Sequence, residues 1–387
     1  MSTGKQDHIC IVAGGTGGHV FPALALAKEL EARGISYTFI TDQRGKAFLL
    51  NPKDKGDQGQ NRILLKGQPV ILPLGHKKSS LLGMLVFLYQ LIISFFVSII
   101  PVWRSTKVIG FSGFPTFAPL TAAILMGKTT YIHEQNAVLG KVNRLLGRFV
   151  KYIYTSTETV KFSKAYQDKL RYTGMPVRPE IEALSAETLT SSDSIKSYSR
   201  PDSQAKSNDP IRVLIIGGSQ GASQFSDVIP EAITQLPESL QERLHIVQQV
   251  RVNEISQTEK KYHGTKCADI ELKPFVHDMA SEYHKAHFII ARSGASTIAE
   301  VQCVGRPAIF VPYAYATDDH QTKNAEALVS KGGALLIPQV YFTPERLAAV
   351  IKDYCENPKK LLFASQRVKK SYLKSSIKVL VDSLISV

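Results

Sequence analysis

Short apolar runs that alternate with segments of helical spacing make up most of this chain. Residues 9–13 and 37–41 are rich in β-branched and aromatic residues, and residues 21–33 between them place apolar side chains three or four positions apart. This alternation predicts βαβ units around a parallel sheet. Further strands are predicted at 107–110, 130–133, 244–250, 288–291 and 308–311, and further helices at 295–304 and 321–331. The chain is therefore predicted to have a doubly wound α/β fold.

Two glycine-rich loops each follow a predicted strand, one in each half of the chain. The first reads HICIVAGGTGGH over residues 8–19, and the second reads IRVLIIGGSQGA over residues 211–222. Glycines let the backbone turn tightly and leave N–H groups to face an anion at the start of the next helix. Two such loops predict two Rossmann-like halves that face each other across a cleft, with a phosphate-bearing ligand between them.

A serine-rich stretch around residues 185–210 separates the two halves. The chain has 387 residues, which is long enough for two domains. We therefore predict an N-terminal domain over 1–175, a linker over 176–210 and a second domain over 211–355. Residues 356–387 are predicted to form a helical segment that packs back towards the first domain.

The net charge favours certain partners, and the spacing of the cysteines bears on the redox compartment and on metal binding. Lys and Arg number 47 against 33 Asp and Glu, a net charge of +14 that favours anionic partners. The sequence has no recognisable nucleic-acid-binding motif, so a phosphorylated ligand or an acidic membrane surface is favoured over nucleic acid. The alternative is an ordinary basic surface without a specific partner, since lysines are spread along the chain. The four cysteines are scattered without metal-site spacing, which predicts a reducing compartment and no metal site.

Residues 81–100, LLGMLVFLYQLIISFFVSII, carry no charge and are long enough to span a bilayer. Three interpretations are open: a membrane-spanning helix, a buried core helix, and a helix with one face in its domain and the other on a membrane surface. Lys77 and Lys78 precede this stretch, and Trp103 and Arg104 follow it. Basic and aromatic flanks favour the third interpretation, on an anionic surface.

Two histidine-containing motifs offer acid–base chemistry in the first half. His19 closes the first glycine loop at a helix N-terminus, where the helix dipole favours a neutral imidazole that can act as a base. Residues 133–136 read HEQN after a predicted strand. Glu134 and Asn136 are therefore expected at the strand end where open α/β sheets bind ligands. The alternatives are a histidine that packs the loop and a hydrogen-bonded turn without catalytic function.

Two motifs in the second half suit a nucleotide sugar. Residues 292–300, RSGASTIAE, run from a loop of small residues into a helix, so hydroxyls and N–H groups can face a diphosphate. Glu300 lies one turn further on and can accept hydrogen bonds from a ribose. Residues 318–324, DDHQTKN, provide Gln321, an amide suited to sugar hydroxyls. The alternative for RSGASTIAE is an ordinary capped helix. The alternative for DDHQTKN is a metal site, although no further ligands at a suitable spacing support it.

Together, seven motifs in order resemble the MurG family of glycosyltransferases. They are GGTGGHVFPALALA, HEQNAVLGKVNRLL, YTGMPVRPEI, GGSQGA, FVHDM, RSGASTIAE and DDHQTKNA, which span residues from about 9 to 338. The resemblance implies a GT-B fold and inverting transfer of N-acetylglucosamine from its UDP derivative to an undecaprenyl-pyrophosphoryl-muramyl-peptide, the step from lipid I to lipid II in peptidoglycan synthesis. It implies a peripheral enzyme at the cytoplasmic face of the bacterial inner membrane, without a tightly bound cofactor.

The resemblance also assigns roles to individual positions. It implies that Thr16, Gly17 and Gly18 contact the donor sugar or its phosphates, with His19 as the base or beside it. Asn136 is expected near the donor sugar, and whether His19 or Glu134 takes the proton stays open. The remaining expected positions are Arg178 and Ser219 on the nucleotide and phosphates, Val276 holding uracil through its backbone, Ala295, Ser296, Thr297, Ile298, Ala299 and Glu300 around the diphosphate and ribose, and Gln321 on the sugar hydroxyls.

Two positions depart from the family pattern, and two rival functions remain. Ser112 stands where a glycine is usual, and Phe114 where a tyrosine is usual. The first rival is an NAD-dependent oxidoreductase or epimerase, in which Asp42 after the second strand would bind a ribose. The second rival is a membrane-surface scaffold without catalysis. The first rival gives no function to the second glycine loop or to RSGASTIAE, and product formation from UDP-N-acetylglucosamine and a lipid acceptor would exclude the second.

Overall fold

The computed structural model describes residues 7–49, 65–75, 80–158, 160–161, 164–186, 209–217 and 222–386. The chain forms two units. The first comprises Met1–Arg178 and Ser375–Val387, and the second comprises Pro179–Lys374. Each unit is built around one parallel sheet.

The first unit contains a seven-stranded sheet in the order β3-β2-β1-β4-β5-β6-β7. Each neighbouring pair is parallel, and β1 pairs with β2 on one side and β4 on the other. The strands are β1 His8–Val12, β2 Ser36–Asp42, β3 Val70–Leu72, β4 Lys107–Gly110, β5 Thr129–Glu134, β6 Tyr152–Thr155 and β7 Leu170–Tyr172. The helices are α1 Gly17–Ala32, α2 Gln43–Lys46, α3 Leu81–Arg104, α4 Phe117–Leu125, α5 Lys141–Leu146 and the C-terminal α15 Ser376–Ile385.

Helices cover both faces of this sheet because its central strands are apolar on both faces. Ile9, Ile11 and the apolar side of α1 form one core, which Leu380 and Leu384 of α15 complete. Cys10, Val12 and residues of β4 and β5 form a second core on the other face. Continuous burial of this kind is typical of a central strand in a doubly wound sheet.

The second unit contains a six-stranded parallel sheet in the order β10-β9-β8-β11-β12-β13. The strands are β8 Ile211–Ile216, β9 Leu244–Gln249, β10 Asp269–Lys273, β11 Phe288–Ala291, β12 Ala308–Phe310 and β13 Ala334–Leu336. The helices are α6 Pro179–Glu182, α7 Ser223–Thr234, α8 Glu238–Gln241, α9 Ile255–Tyr262, α10 Met279–Lys285, α11 Ala295–Val304, α12 His320–Ser330, α13 Pro344–Glu356 and α14 Pro358–Lys370.

In each sheet the strand order reverses beside the strand that carries a glycine loop. In the first sheet the reversal lies between β1 and β4, and in the second it lies between β8 and β11. Loops on either side of such a reversal diverge and leave a crevice at the carboxyl ends of the strands. This topology places a candidate ligand site at that end of each sheet.

The predicted strands and helices are all present in the structure, with ends that shift by a few residues. The pattern missed β3, β6, β7, β10 and β13, which have three to five residues each. Strands this short carry few alternating positions. β4, β11 and β12 are as short but were predicted.

The unit boundaries differ from the predicted domain boundaries of 175, 210 and 355. α6 belongs to the second unit, and so does α14, which packs against α11 and α13. Within 356–387, only the stretch from Ser375 onwards joins the first unit, where α15 packs against α1. Most of the predicted linker, residues 187–208, lies outside the described residues.

α3 extends the apolar stretch of residues 81–100 to Arg104 and exposes most of its apolar side chains. Its buried positions include Ser94 and Ser98, whose hydroxyls donate to backbone oxygens one turn earlier. Leu82 and Phe96 are 73% and 62% exposed. It is long and apolar enough to cross a membrane by length and composition. A narrow face with Ser94, Ser98 and Val102 packs on the domain and most of the apolar side chains point outward, so the core-helix interpretation is wrong.

Candidate functional site

The first glycine loop is held by a carboxylate at the end of β2. Gly15 has a φ of +86°, which favours glycine, and its N–H donates to Asp42 Oδ1 at 2.9 Å. Gly45 N–H donates to the same oxygen at 2.8 Å, and Arg44 Nε donates to Asp42 Oδ2 at 3.0 Å. Asp42 is fully buried. Its carboxylate thus fixes the loop and is not presented to a ribose, which argues against a dinucleotide-binding oxidoreductase.

His19 lies in the first turn of α1, directly after the loop. It is half-buried, and its Nδ1 lies 3.2 Å from the carbonyl oxygen of Gly14. Its ring also packs on Gly113, where an added Cβ would lie 3.2 Å from Nδ1 and φ is +83°. Gly14 and Gly113 therefore fix the Nδ1 side of the ring. Nε2 is the nitrogen suited to accept a proton if Nδ1 donates to Gly14.

Glu134 ends β5 and is completely buried. Its Oε1 accepts from the N–H of Asn136 at 3.0 Å, and its Oε2 accepts from the N–H of Gly140 and from Asn143 Nδ2, both at 2.8 Å. The Ser112 hydroxyl lies 3.4 Å from Oε2. Both carboxylate oxygens are therefore occupied by the chain itself. Glu134 is thus fully buried and hydrogen-bonded within the chain, whereas His19 is half-buried.

The HEQN turn contains two fully buried ionisable side chains, His133 and Glu134, whose pKa values are shifted by burial. Burial raises the pKa of the Glu134 carboxyl, and the N–H donors of Gly140 and Asn136 oppose that shift. Burial lowers the pKa of His133 to about 4, so this imidazole is neutral at neutral pH. His133 stacks on Phe111 with ring centroids 5.1 Å apart. His133 and Glu134 thus stabilise the turn that presents Asn136.

The other predicted site residues of the first unit are Thr16, Gly17 and Gly18, at the start of α1, and Arg178. Thr16 is exposed, Gly17 is buried and Gly18 is half-buried. The Arg178 guanidinium lies 5.8 Å from the ring centre of Phe21, on α1. Arg178 is also the last residue of the unit's first segment.

In the second unit, the loop after β11 leads into α11 with buried polar groups that lack partners. The hydroxyls of Ser293 and Ser296 are buried and have no hydrogen-bond partner among the described residues. α11 begins at Ala295, so Ala295, Ser296 and Thr297 form its first turn. Free N–H groups and hydroxyls at a helix N-terminus bind anions. Arg292, directly after β11, adds a buried guanidinium.

Glu300 and Val276, which the sequence predicts on the nucleoside, are both buried in the second unit. Glu300 is 8% exposed, and the Tyr283 hydroxyl donates to its Oε2 at 3.0 Å, which fixes the carboxylate. Ile298 and Ala299 before it are buried against the unit's interior. Val276 is 3% exposed in the segment before α10. Its side chain anchors that segment, which is consistent with recognition through the backbone.

Gln321 lies in the first turn of α12, and its Oε1 accepts from the N–H of Tyr313 at 2.9 Å. The loop before it contains Asp318 and Asp319, both with left-handed φ values of +53° and +51°. Ser219, predicted on the phosphate side, lies outside the described residues. The second glycine loop is therefore described only at its ends.

Several residues that hold the site were missed by sequence reasoning. Asp42 was weighed only as a ribose ligand, although its position at the end of β2, beside the first loop, indicated a loop-holding role. Asn143 lies within HEQNAVLGKVNRLL but was not singled out, and Gln339, whose Oε1 accepts from Arg292 Nη1 at 2.9 Å, lies outside the quoted motifs. The contacts of Gln339 join distant segments, which local sequence does not reveal. No group of three or more His, Cys, Asp or Glu that suits a metal ion occurs among the described residues.

Two family models match the two halves of the chain. The N-terminal domain model of glycosyltransferase family 28 matches residues 9–155, and its C-terminal domain model matches residues 212–380. Together with two doubly wound parallel sheets, these matches define the class of protein. The chain is a glycosyltransferase of family 28 with a GT-B fold.

Curated relatives specify the family further. An enzyme of Paramagnetospirillum magneticum is 40% identical over 372 residues, covering 94% of this chain and 91% of the relative. One of Allorhizobium ampelinum is 39% identical and covers 91% and 88%. Both are named UDP-N-acetylglucosamine–N-acetylmuramyl-(pentapeptide) pyrophosphoryl-undecaprenol N-acetylglucosamine transferase. The crystal structure of MurG from Acinetobacter baumannii matches with a TM-score of 0.73 and 27% identity, covering 98% of this chain and 100% of that one. The chain therefore belongs to the MurG family.

Proposed function

We propose that the chain transfers N-acetylglucosamine from UDP-N-acetylglucosamine to an undecaprenyl-pyrophosphoryl N-acetylmuramyl-peptide. The relatives at 39–40% identity are named for this reaction and match about nine tenths of the chain. One observation in the structure carries the donor half of the proposal. The buried hydroxyls of Ser293 and Ser296 lack partners among the described residues and lie at the start of α11.

A diphosphate supplies what these groups lack. Its oxygens accept hydrogen bonds from the two serine hydroxyls and from the first N–H groups of α11, where the helix dipole favours negative charge. Glu300, one turn further, accepts from the ribose hydroxyls, and the segment of Val276 holds the uracil. The nearby Arg292 guanidinium adds positive potential. This arrangement favours UDP as the leaving group.

The reaction needs a base and a stabilised leaving group. The acceptor hydroxyl oxygen attacks the anomeric carbon of N-acetylglucosamine, the bond from that carbon to the diphosphate breaks, and UDP leaves with the electron pair. His19 Nε2 takes the proton from the attacking hydroxyl. The α11 N-terminus stabilises the charge that develops on the diphosphate. Attack opposite the leaving group inverts the anomeric centre.

The test is transfer from UDP-N-acetylglucosamine to a short-chain lipid-linked muramyl-peptide analogue, followed as UDP release and as disaccharide product. His19→Ala is expected to lower kcat by about 10²–10⁴-fold, because a positioned base contributes that much. Donor affinity by calorimetry should change little. His8→Gln is the matched control, since His8 begins β1 at the opposite end from the glycine loop.

Two results would contradict this proposal. Wild-type protein that binds UDP-N-acetylglucosamine but forms no disaccharide would contradict the transfer reaction. A His19→Ala variant that loses donor affinity while it keeps turnover per bound donor would contradict the role of His19 as the base. In that case the histidine would be a donor-binding group.

The lipid-linked acceptor requires access to a membrane, and we propose that α3 provides it. Its outward side chains are apolar, and exposed Trp103 and Arg104 end the helix. Lys128 Nζ donates to the carbonyl oxygen of Trp103 at 2.8 Å, which adds a cation at that end. Aromatic and basic residues beside an apolar helix suit the interface of an anionic bilayer. We place the enzyme peripherally on the cytoplasmic face of the inner membrane.

A further inference from the structure

The loop between β12 and α12 carries Gln321 at its end and is held by few apolar contacts. Tyr313 and Tyr315 point outward, at 44% and 81% exposed. Asp318 and Asp319 adopt left-handed backbone conformations, which Asp tolerates better than most residues but less readily than glycine. A loop of this kind keeps one conformation only if polar contacts hold it.

Gln339 supplies the central contact. It lies in the short 3₁₀ helix Gln339–Tyr341 after β13. Its Oε1 accepts from the N–H of Ala314 at 3.1 Å and from Arg292 Nη1 at 2.9 Å. Its backbone oxygen accepts from Gln224 Nε2, on α7, at 3.2 Å. One amide oxygen therefore joins the loop to the strand end that precedes α11.

Arg292 extends the same connection to the start of the loop. Its Nη1 donates to the carbonyl oxygens of Val311 and Pro312 at 3.0 and 3.1 Å. Its hydrogen-bond acceptors among the described residues, Gln339 Oε1 included, are all neutral. Burial lowers the pKa of the guanidinium to about 10. Removal of one acceptor from a buried charged donor leaves a group that must be solvated again or must move.

We propose that Gln339 is a positioning residue for the donor sugar, acting through the loop on the amide of Gln321. Gln339 and Arg292 fix residues 311–314. Within that segment the N–H of Tyr313 holds Gln321 Oε1 at 2.9 Å. With its oxygen engaged, Gln321 presents its amide nitrogen as a donor to a sugar hydroxyl. This inference rests on the proposed function, since it takes UDP-N-acetylglucosamine as the ligand.

The experiment compares affinities for UDP-N-acetylglucosamine and for UDP by calorimetry. Gln339→Leu removes the acceptor and is expected to weaken UDP-N-acetylglucosamine binding about tenfold. UDP affinity should fall clearly less than UDP-N-acetylglucosamine affinity, because a shift of Arg292 weakens the diphosphate contact in both ligands, whereas Glu300 and Val276 lie outside the braced loop and only the sugar contact depends on Gln321. Gln339→Glu keeps an acceptor oxygen and should restore the affinity. Gln302→Leu is the control, because the Gln302 amide bonds to Ser371 on the other side of α11.

A second measurement separates positioning from general stability. Gln321→Leu alone should weaken sugar binding, and combining it with Gln339→Leu should add little further loss, because both act on the same contact. If Gln339→Leu does not fold, Gln339→Met, which keeps the chain length, takes its place in the same comparison.

Three results would overturn the inference. Equal loss of UDP and UDP-N-acetylglucosamine affinity would indicate a structural role only. Unchanged sugar affinity in Gln339→Leu, or full additivity with Gln321→Leu, would show that Gln339 does not act through Gln321. Wild-type protein that binds no UDP-N-acetylglucosamine would instead overturn the proposed function itself.

Discussion

The exposed face of α3 provides a direct test of membrane attachment. Leu88 and Phe96 are 53% and 62% exposed, so their substitution by serine leaves the core untouched. Full burial of a Leu or Phe side chain is worth about 1.5–3 kcal/mol. About half of that gain is available to each residue at a bilayer surface. The pair should therefore contribute about 1.5–3 kcal/mol of binding free energy, or about 10- to 160-fold in vesicle affinity.

The assay is co-sedimentation with vesicles of phosphatidylglycerol and phosphatidylcholine, compared between wild type and the Leu88→Ser, Phe96→Ser double variant. The control pair is Val252→Ser with Phe363→Ser, two residues of the second unit that are 76% and 61% exposed. Trp103 is the only tryptophan and is 68% exposed at the end of α3. Its emission should shift to the blue when wild-type protein meets vesicles.

The thermal transition of the double variant should match that of wild type, because neither side chain is buried. Equal vesicle binding by the α3 variant and wild type would refute the reasoning, and so would equal losses in the α3 and control pairs. An unchanged Trp103 emission on vesicle addition would show that this end of α3 stays in water. A variant that misfolds would contradict the exposure of the two residues.

Three further outcomes follow from the site. Glu300→Ala should weaken UDP binding about tenfold by calorimetry, and wild-type affinity would contradict the ribose role. Ser112→Ala should lower the free energy of unfolding by about 1–3 kcal/mol, because Asn143 Nδ2 lies 2.6 Å from the hydroxyl. Ser112→Gly should lose less of the free energy of unfolding than Ser112→Ala, as measured by calorimetry, because Ser112 has a φ of +54° and glycine adopts that conformation readily. Burial lowers the pKa of His133 from 6.5 to about 4. As the pH drops between these values, the unfolded chain binds a proton before the folded chain does, so the free energy of unfolding falls. His133→Asn should flatten this fall when the melting temperature is measured against pH.

Phe114 shows how a departure from the family pattern acquires a meaning only in the structure. It stands where a tyrosine is usual, and its ring meets Phe87 of α3 edge to face, with centroids 5.5 Å apart. The side chain is 46% exposed. It therefore continues the apolar surface of α3 towards Gly113, which contacts His19. The sequence alone showed a lost hydroxyl and no replacement contact.

Glu134 shows the reverse case. Its carboxylate could act as a base by residue type, but in the structure it accepts hydrogen bonds from the chain itself. Its position at a strand end was correctly predicted from the pattern of β5. Its occupied carboxylate could not be predicted, because Ser112 and Asn143 reach it from other segments. Sequence neighbours indicate which edge of a sheet a side chain occupies. Only three-dimensional packing decides whether water or a substrate reaches it.

The sequence by itself determined the doubly wound architecture and the two glycine loops, because hydrophobic period and loop composition act over a few consecutive residues. The family came from the resemblance of seven motifs in order, and that resemblance implied the donor. Tertiary structure decided that α3 faces outward, that Asp42 holds a loop, that α14 belongs to the second unit and that Gln339 braces the Gln321 loop. Each of these depends on contacts between segments far apart in the chain. Local patterns carry no record of such contacts, since the free energy of each arises only when the segments meet.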